Sequence, residues 1–201
     1  MKIEKQVLAS IRPEWCRLIL NGNKTVEVRK TKPQLQTPFK CYIYCTLSGN
    51  KEFFADTLGG DIAKWNKEKW GLRKGMVICE FVCDRITRFK VFEDDTVQFW
   101  NFAELEKSCL TYEQIAEYIG RNKFGYAWHI SELKIYDKPK ELKEFFALCD
   151  MGCELCEYWT YQRVNADEFD MDCGSRVFGC KEIKRPPQSW CYVEEVEGGV
   201  L

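Results

Sequence analysis

The sequence predicts an α+β fold: a partly closed, mixed or mostly antiparallel β-barrel with flanking helices. Three observations carry this. Short runs rich in β-branched and aromatic residues, such as Val7–Ile11 and Phe39–Leu47, have the character of strands. Helical signals are few and short, the clearest spanning Thr111–Ile119. The connections are too irregular for a repeating strand–helix–strand series, which argues against a doubly wound parallel sheet.

Taken in order, Val7–Ile11 is a strand, and Pro13 opens a helix, where its missing N–H is harmless because first-turn donors are unpaired anyway. Trp15, Leu18 and Ile19 recur at helical spacing and form the inward face. Asn21-Gly22 supplies a left-handed stop. Lys24–Lys30 follows as a strand, with Val26 and Val28 on the core face. Glu27 and Arg29 take the other face, open to water or to a ligand. Phe39–Leu47 is a further strand, Asp61–Trp70 an amphipathic helix, and Gly71–Gly75 a turn. Met76–Phe92 is one long strand or a bent pair, with the bend at Asp84-Arg85. Thr111 caps the helix Thr111–Ile119, Gln114 completes a capping box, and Gly120 ends it. Tyr126–Tyr136 is a strand and Pro139–Leu148 a short helix. Ser189–Val196 is a last strand that returns to the barrel behind the stiff Arg185-Pro186-Pro187. The organisation is thus a barrel over 1–148, a cysteine-rich insert over 149–184, and a final strand and tail over 185–201.

A chain of 201 residues suffices for one domain with a proper core. The formal charge of −1 gives no global field for a polyanion, so any nucleic-acid contact has to come from a local patch. No apolar run reaches the ~18 residues of a membrane helix. The N-terminal Met1-Lys-Ile-Glu-Lys-Gln lacks the apolar stretch of a signal peptide, so the expected setting is the cytoplasm, without a membrane partner. Of the twelve cysteines, Cys41, Cys45, Cys79 and Cys83 fall in strand-like runs, where reduced thiols serve as small buried hydrophobes.

The chemistry concentrates in Gly22-x-Lys24-x-x-Glu27-x-Arg29. Lys24 sits at a helix-to-strand turn, where its ammonium can reach a phosphate. Arg29 offers a planar fork for a phosphate or a base edge, and Glu27 on the same face can fix its direction or accept from an exocyclic amine. Ser10, Arg12 and Lys30 add contacts if the first strand lies alongside. The competing reading is a solvated edge strand carrying a Glu27–Arg29 surface ion pair of little worth.

These residues resemble the signature of the ASCH family, in the PUA-like superfamily of small β-barrels. Their context is similar too, with Leu8-Ala-Ser10-Ile-Arg12-Pro13 before them. So are Gly125-Tyr-Ala-Trp128-His129-Ile-Ser131 and Arg185-Pro-Pro-Gln-Ser-Trp190-Cys-Tyr192, which look like segments of phage and bacterial ASCH proteins. The resemblance implies a PUA-like barrel with a cleft for single-stranded RNA or a nucleotide. Trp128, His129, Trp190 and Tyr192 are then candidates for stacking on bases, or alternatively core aromatics. Some relatives resemble amidohydrolases of acetylated cytidine that use a lysine, a threonine and a glutamate. Lys24 falls at the lysine position and Glu27 at the threonine position, while Glu106 is a loose candidate for the glutamate. Others resemble ribonucleases, where Lys24, Glu27 and Arg29 would stabilise phosphate charge and move protons. A protein-interaction module with an idle motif is the third reading.

The insert carries Cys149, Cys153, Cys156, Cys173 and Cys180. Cys153-x2-Cys156 is a good thiolate knuckle, and Cys173-x6-Cys180 is a wider second pair. Four thiolates would hold a structural Zn²⁺ and brace a segment too small for its own core, with Cys149 able to replace one ligand. The alternative is a set of unrelated reduced cysteines on a loop.

Overall fold

The structure is a computed structural model that describes residues 5–48, 74–94, 97–98, 102–147 and 181–194. The first strand, β1 (Lys5–Ile11), leads through α1 (Pro13–Leu20) into β2 (Val26–Arg29), followed by β3 (Phe39–Cys45). Next come β4 (Met76–Cys83), β5 (Ile86–Val91), the two-residue β6 (Val97–Gln98), α2 (Phe102–Ser108) and α3 (Tyr112–Ile119). The chain continues as β7 (Phe124–His129) and β8 (Ser131–Lys140), then a 3₁₀ turn at Leu142–Glu144. β9 (Phe146–Ala147), β10 (Lys181–Glu182) and β11 (Trp190–Glu194) complete the order.

Two sheets form. The larger has the strand order β10-β9-β11-β1-β3-β4-β8 and the smaller β2-β7-β5-β6. Among the described strands neither sheet closes on itself. Among the described strands β1 and β3 are the parallel pair, and the other pairings are antiparallel. Parallel neighbours need a crossover, and here α1 and β2 provide it, carrying β2 into the second sheet on the way.

Three apolar layers hold these sheets. The first lies between them and joins Val7, Ile11, Cys16, Ile43, Phe81 and Trp128. The second lies beneath α2 and α3, where Leu105, Ile115 and Ile119 meet Val26, Val28 and Phe89. The third covers the other face of the large sheet, with the Tyr42 and Phe145 rings edge to face at 5.0 Å. Cys41, Cys45, Cys79 and Cys83 are buried cysteines of β3 and β4 outside any disulfide. Burial pushes the Cys83 thiol up to about 12 and raises Cys41 well above its ordinary value, which leaves those two sulfurs as packing groups.

Several local expectations are met by visible chemistry. Thr111 Oγ1 accepts from the Gln114 N–H at 3.3 Å, and the Gln114 side chain accepts from the Thr111 N–H at 2.9 Å. Gly22 ends α1 with φ +75°, a conformation in which a side chain is strained. The bend between β4 and β5 falls at Asp84-Arg85.

Others are corrected. The buried side of α1 is Cys16, Ile19 and Leu20, while Trp15 and Leu18 are half-buried, so the helix is turned from the predicted face. The predicted strand Tyr126–Tyr136 is two strands in different sheets, parted at Ile130. Its N–H is claimed by the Thr25 carbonyl at 2.9 Å rather than by a ladder. The predicted helix Pro139–Leu148 is instead the end of β8, the 3₁₀ turn and β9. Pro139 is tolerated in β8 because that strand is the sheet's edge, where a missing N–H breaks no ladder. The predicted helix Asp61–Trp70 and the insert residues 149–180 lie outside the described residues. Lys181–Glu182, at the far end of the insert, is β10 and pairs with β9.

Candidate functional site

β2 is an edge strand of the small sheet, and a cleft of about 790 Å³ runs beside it. Its floor is the motif strand. One wall comes from β1 and α1, through Ser10, Arg12 and Trp15. The opposite wall is α3, through Gln114, Glu117 and Tyr118, and the chain before β11 closes one end with Pro186, Pro187 and Gln188. The fold thus brings Ser10, Arg12, Lys24, Glu27, Arg29 and Lys30 to a single cavity.

The three motif charges are not solvated. Lys24 is 2% exposed, Glu27 7% and Arg29 4%, which removes both the open charged face and the surface ion pair expected from the spacing. Glu27 stands between two cations: Oε1 lies 3.0 Å from Arg29 Nε and Oε2 lies 3.5 Å from Lys24 Nζ. The first is an ionic contact without hydrogen-bond alignment, since Arg29 Nε–H has no hydrogen-bond partner among the described residues. Lys24 Nζ donates to the Ser108 carbonyl at 2.6 Å and lies 5.5 Å from the centre of the Trp15 ring. Burial lowers the Lys24 pKa below the ordinary lysine value, and the Glu27 charge opposes that shift.

Arg29 already has its fork engaged. Nη1 donates to the Ser189 carbonyl at 3.1 Å and to Ser189 Oγ at 3.3 Å, and Nη2 donates to the Ser10 carbonyl at 2.9 Å. The guanidinium therefore ties β2 to β1 and to the chain leading into β11. It shapes the cleft rather than offering a free fork to a phosphate. The accessible cations are at the rim, where Arg12 and Lys30 are exposed.

The aromatic residues divide differently from the sequence reading. Trp128 is 0% exposed and belongs to the layer between the sheets. Trp190 is half-buried, tilted against Trp128 at 6.1 Å, and its Nε1–H donates to Thr31 Oγ1 at 3.0 Å. Tyr192 is buried, and its hydroxyl accepts from the Gln34 N–H at 2.6 Å. His129 is half-buried, with Nδ1 2.6 Å from Asp84 Oδ1. None of these four lines the cleft, and neither does Glu106, which is exposed on α2. The rings that do are Trp15 and Tyr118. Tyr118 is 40% exposed and carries the Lys30 ammonium 5.2 Å from its ring centre. Burial raises its phenol above the ordinary value, Arg29 and Arg12 oppose, and Glu27 adds to the rise. A sequence signal for Tyr118 exists: it is an aromatic residue off the Ile115–Ala116–Ile119 apolar stripe of its helix.

The cysteines expected as zinc ligands, Cys149, Cys153, Cys156, Cys173 and Cys180, lie outside the described residues. Among the described residues no cluster of three or more metal-ligating side chains occurs, and no helix is long and apolar enough to cross a membrane.

No family model and no curated protein matches the sequence. The structure is similar to that of the ASCH protein from Zymomonas mobilis, with a TM-score of 0.50 and 16% identity over 92% of this chain and 85% of that one. Two single-substitution variants of the same Zymomonas mobilis protein score 0.49 and 0.48, at 16% and 15% identity. The first covers 93% of this chain and 88% of its own, the second 92% and 85%.

Proposed function

We propose, from a chain with the ASCH fold, that the cleft beside β2 binds single-stranded RNA or a nucleotide. The observation that carries this is the pairing of exposed cations with available rings: Arg12 and Lys30 at the rim, Trp15 and Tyr118 in the walls. Unstacked bases bind to aromatic faces beside positive charge, whereas a duplex would need a wide basic surface. The volume of about 790 Å³ fits a ligand of nucleotide size. In this reading Arg12 and Lys30 neutralise phosphate and Tyr118 or Trp15 stacks on a base. Lys24 sits beneath as a fixed donor, and the Ser10 hydroxyl is buried beside the cleft without a hydrogen-bond partner among the described residues.

Fluorescence anisotropy with a labelled single-stranded oligoribonucleotide at low salt tests this. Arg12→Ala and Lys30→Ala should each weaken binding and flatten the salt dependence by about 0.7 per phosphate left without its cation. Wild-type protein that leaves the probe free at low salt would end the proposal.

One observation favours a second reading, hydrolysis in the same cleft. Lys24 combines a lowered pKa with a carboxylate 3.5 Å away, an arrangement suited to proton transfer. Mass spectrometry of RNA or an acylated nucleoside incubated with the protein would then show product that disappears in Lys24→Met.

A further inference from the structure

A second basic and aromatic surface lies on the same small sheet as the cleft. In the register of that sheet Arg29 of β2 stands opposite Tyr126 of β7, and Tyr126 stands opposite Arg88 of β5. Residues directly opposite share a face of a sheet, so the three form one row. The row starts at the cleft floor with Arg29 and ends at the exposed Arg88, two strand spacings or about 10 Å away. At its outer end the Arg88 guanidinium lies 3.5 Å from the centre of the Phe124 ring. Lys90, directly opposite Phe124, has its ammonium 6.0 Å from that ring and 4.9 Å from the Phe92 ring. Phe124 is 44% exposed, although it is a large apolar residue in a strand.

We infer that the exposed outer end of this row takes the continuation of the strand held in the cleft, so that single-stranded RNA leaves the cleft at Lys30, passes over the buried Arg29 and half-buried Tyr126, and stacks a base on Phe124 beside Arg88 and Lys90. The inference rests on the proposed function. Charge and ring type select the occupant. Two cations beside an exposed ring, one of them 3.5 Å from its centre, make a platform for a base and its phosphates. The carboxylates that flank β5 in sequence, Asp84 before it and Glu93 and Asp94 after it, lie outside the strand, and Asp84 faces His129. Arg88 is also pre-ordered: with its guanidinium held by Phe124, it loses less freedom when a phosphate arrives.

The experiment compares two labelled probes on the full-length protein, a dinucleotide that occupies the cleft alone and a decanucleotide that can reach Phe124. Phe124→Ala should weaken the decanucleotide by about five- to a hundredfold, the loss of one base–aromatic stack, and leave the dinucleotide unchanged. Arg88→Ala and Lys90→Ala should lower the salt slope of the longer probe by about 0.7 each. Three results overturn the inference while the cleft reading survives: unchanged decanucleotide binding in all three variants, equal weakening of both probes, or displacement of the decanucleotide by an equally charged acidic peptide at matching concentration. Failure of both probes to bind wild type overturns the cleft reading and the inference together.

Discussion

Arg29 Nη2 donates to the Ser10 carbonyl at 2.9 Å, and in doing so ties the edge strand of the small sheet to a central strand of the large one. The same guanidinium reaches Ser189, and its Nε faces Glu27, so one side chain holds three segments of the cleft. Arg29→Ala should therefore lower stability by about 3–5 kcal/mol, the cost of breaking a buried charged cluster. Arg29→Lys should recover little, because an ammonium cannot span Ser10 and Ser189 as a planar fork does. Urea unfolding measures both, and a loss below about 1 kcal/mol in Arg29→Ala would contradict this role.

Lys24 gives a pH dependence of stability with a definite sign. Burial holds its folded-state pKa below the unfolded value of about 10.4. Between the two values the unfolded chain binds a proton that the folded chain has lost, so this group adds stability as pH rises through that window. Below the window both states carry the proton and the burial cost is constant. Lys24→Met removes the dependence. The stability of wild type relative to Lys24→Met should climb with pH across the alkaline window, read by denaturant titration, and a flat difference would refute it.

Tyr118 and Trp128 should separate cleanly. Tyr118→Ala removes a ring from the cleft wall and should weaken RNA binding by about five- to a hundredfold, with Tyr118→Phe close to wild type. Trp128→Phe shrinks a fully buried side chain in the layer between the sheets, so it should cost stability and leave affinity unchanged. Anisotropy and thermal unfolding on the same samples distinguish the two effects.

Gly125 lies opposite Phe89, and a Cβ there would meet the Phe89 ring at 2.3 Å. Gly125→Ala should destabilise by about 1–3 kcal/mol through overpacking, and Phe89→Leu in the same chain should relieve part of that cost. Additive destabilisation in the double variant would show that the two sites do not interact.

The proposal of a structural zinc held by Cys153, Cys156, Cys173 and Cys180, with Cys149 as substitute, has a direct measurement. Inductively coupled plasma analysis of untagged protein should find about one equivalent of zinc, the stoichiometry of one tetrahedral four-thiolate site. Chelation should then lower the thermal midpoint. Metal-free protein with an unchanged midpoint would remove the proposal.

Strands are legible in the sequence where alternation is strong, as in β1 and β3, and α3 is legible through its capping box. Pro139–Leu148 misleads because a proline in an edge strand and a proline opening a helix look alike without knowledge of the sheet's order. The motif is placed in the chain but not in its environment. Nothing in Lys24-Thr-Val-Glu27-Val-Arg29 shows that Ser108 and Ser189, 84 and 160 residues from Lys24 and Arg29 respectively, will supply carbonyls and bury the charges. Trp128 draws attention as an aromatic beside a histidine, yet the register opposite Glu27 carries it into the interior. Tyr118 escapes notice when its helix is read for the apolar stripe alone.

The antiparallel pairing of β1 with β11, together with Pro186–Gln188 at the end of the cleft, bears on how the protein is made. Strand β1 is translated well before β11, the partner it pairs with. Until that partner arrives, one hydrogen-bonding side of β1 is bare, and Arg29 has no Ser189 to hold. The nascent chain therefore carries its motif before the segment that closes the cleft, and until β11 is made the unfinished sheet is exposed to holding chaperones.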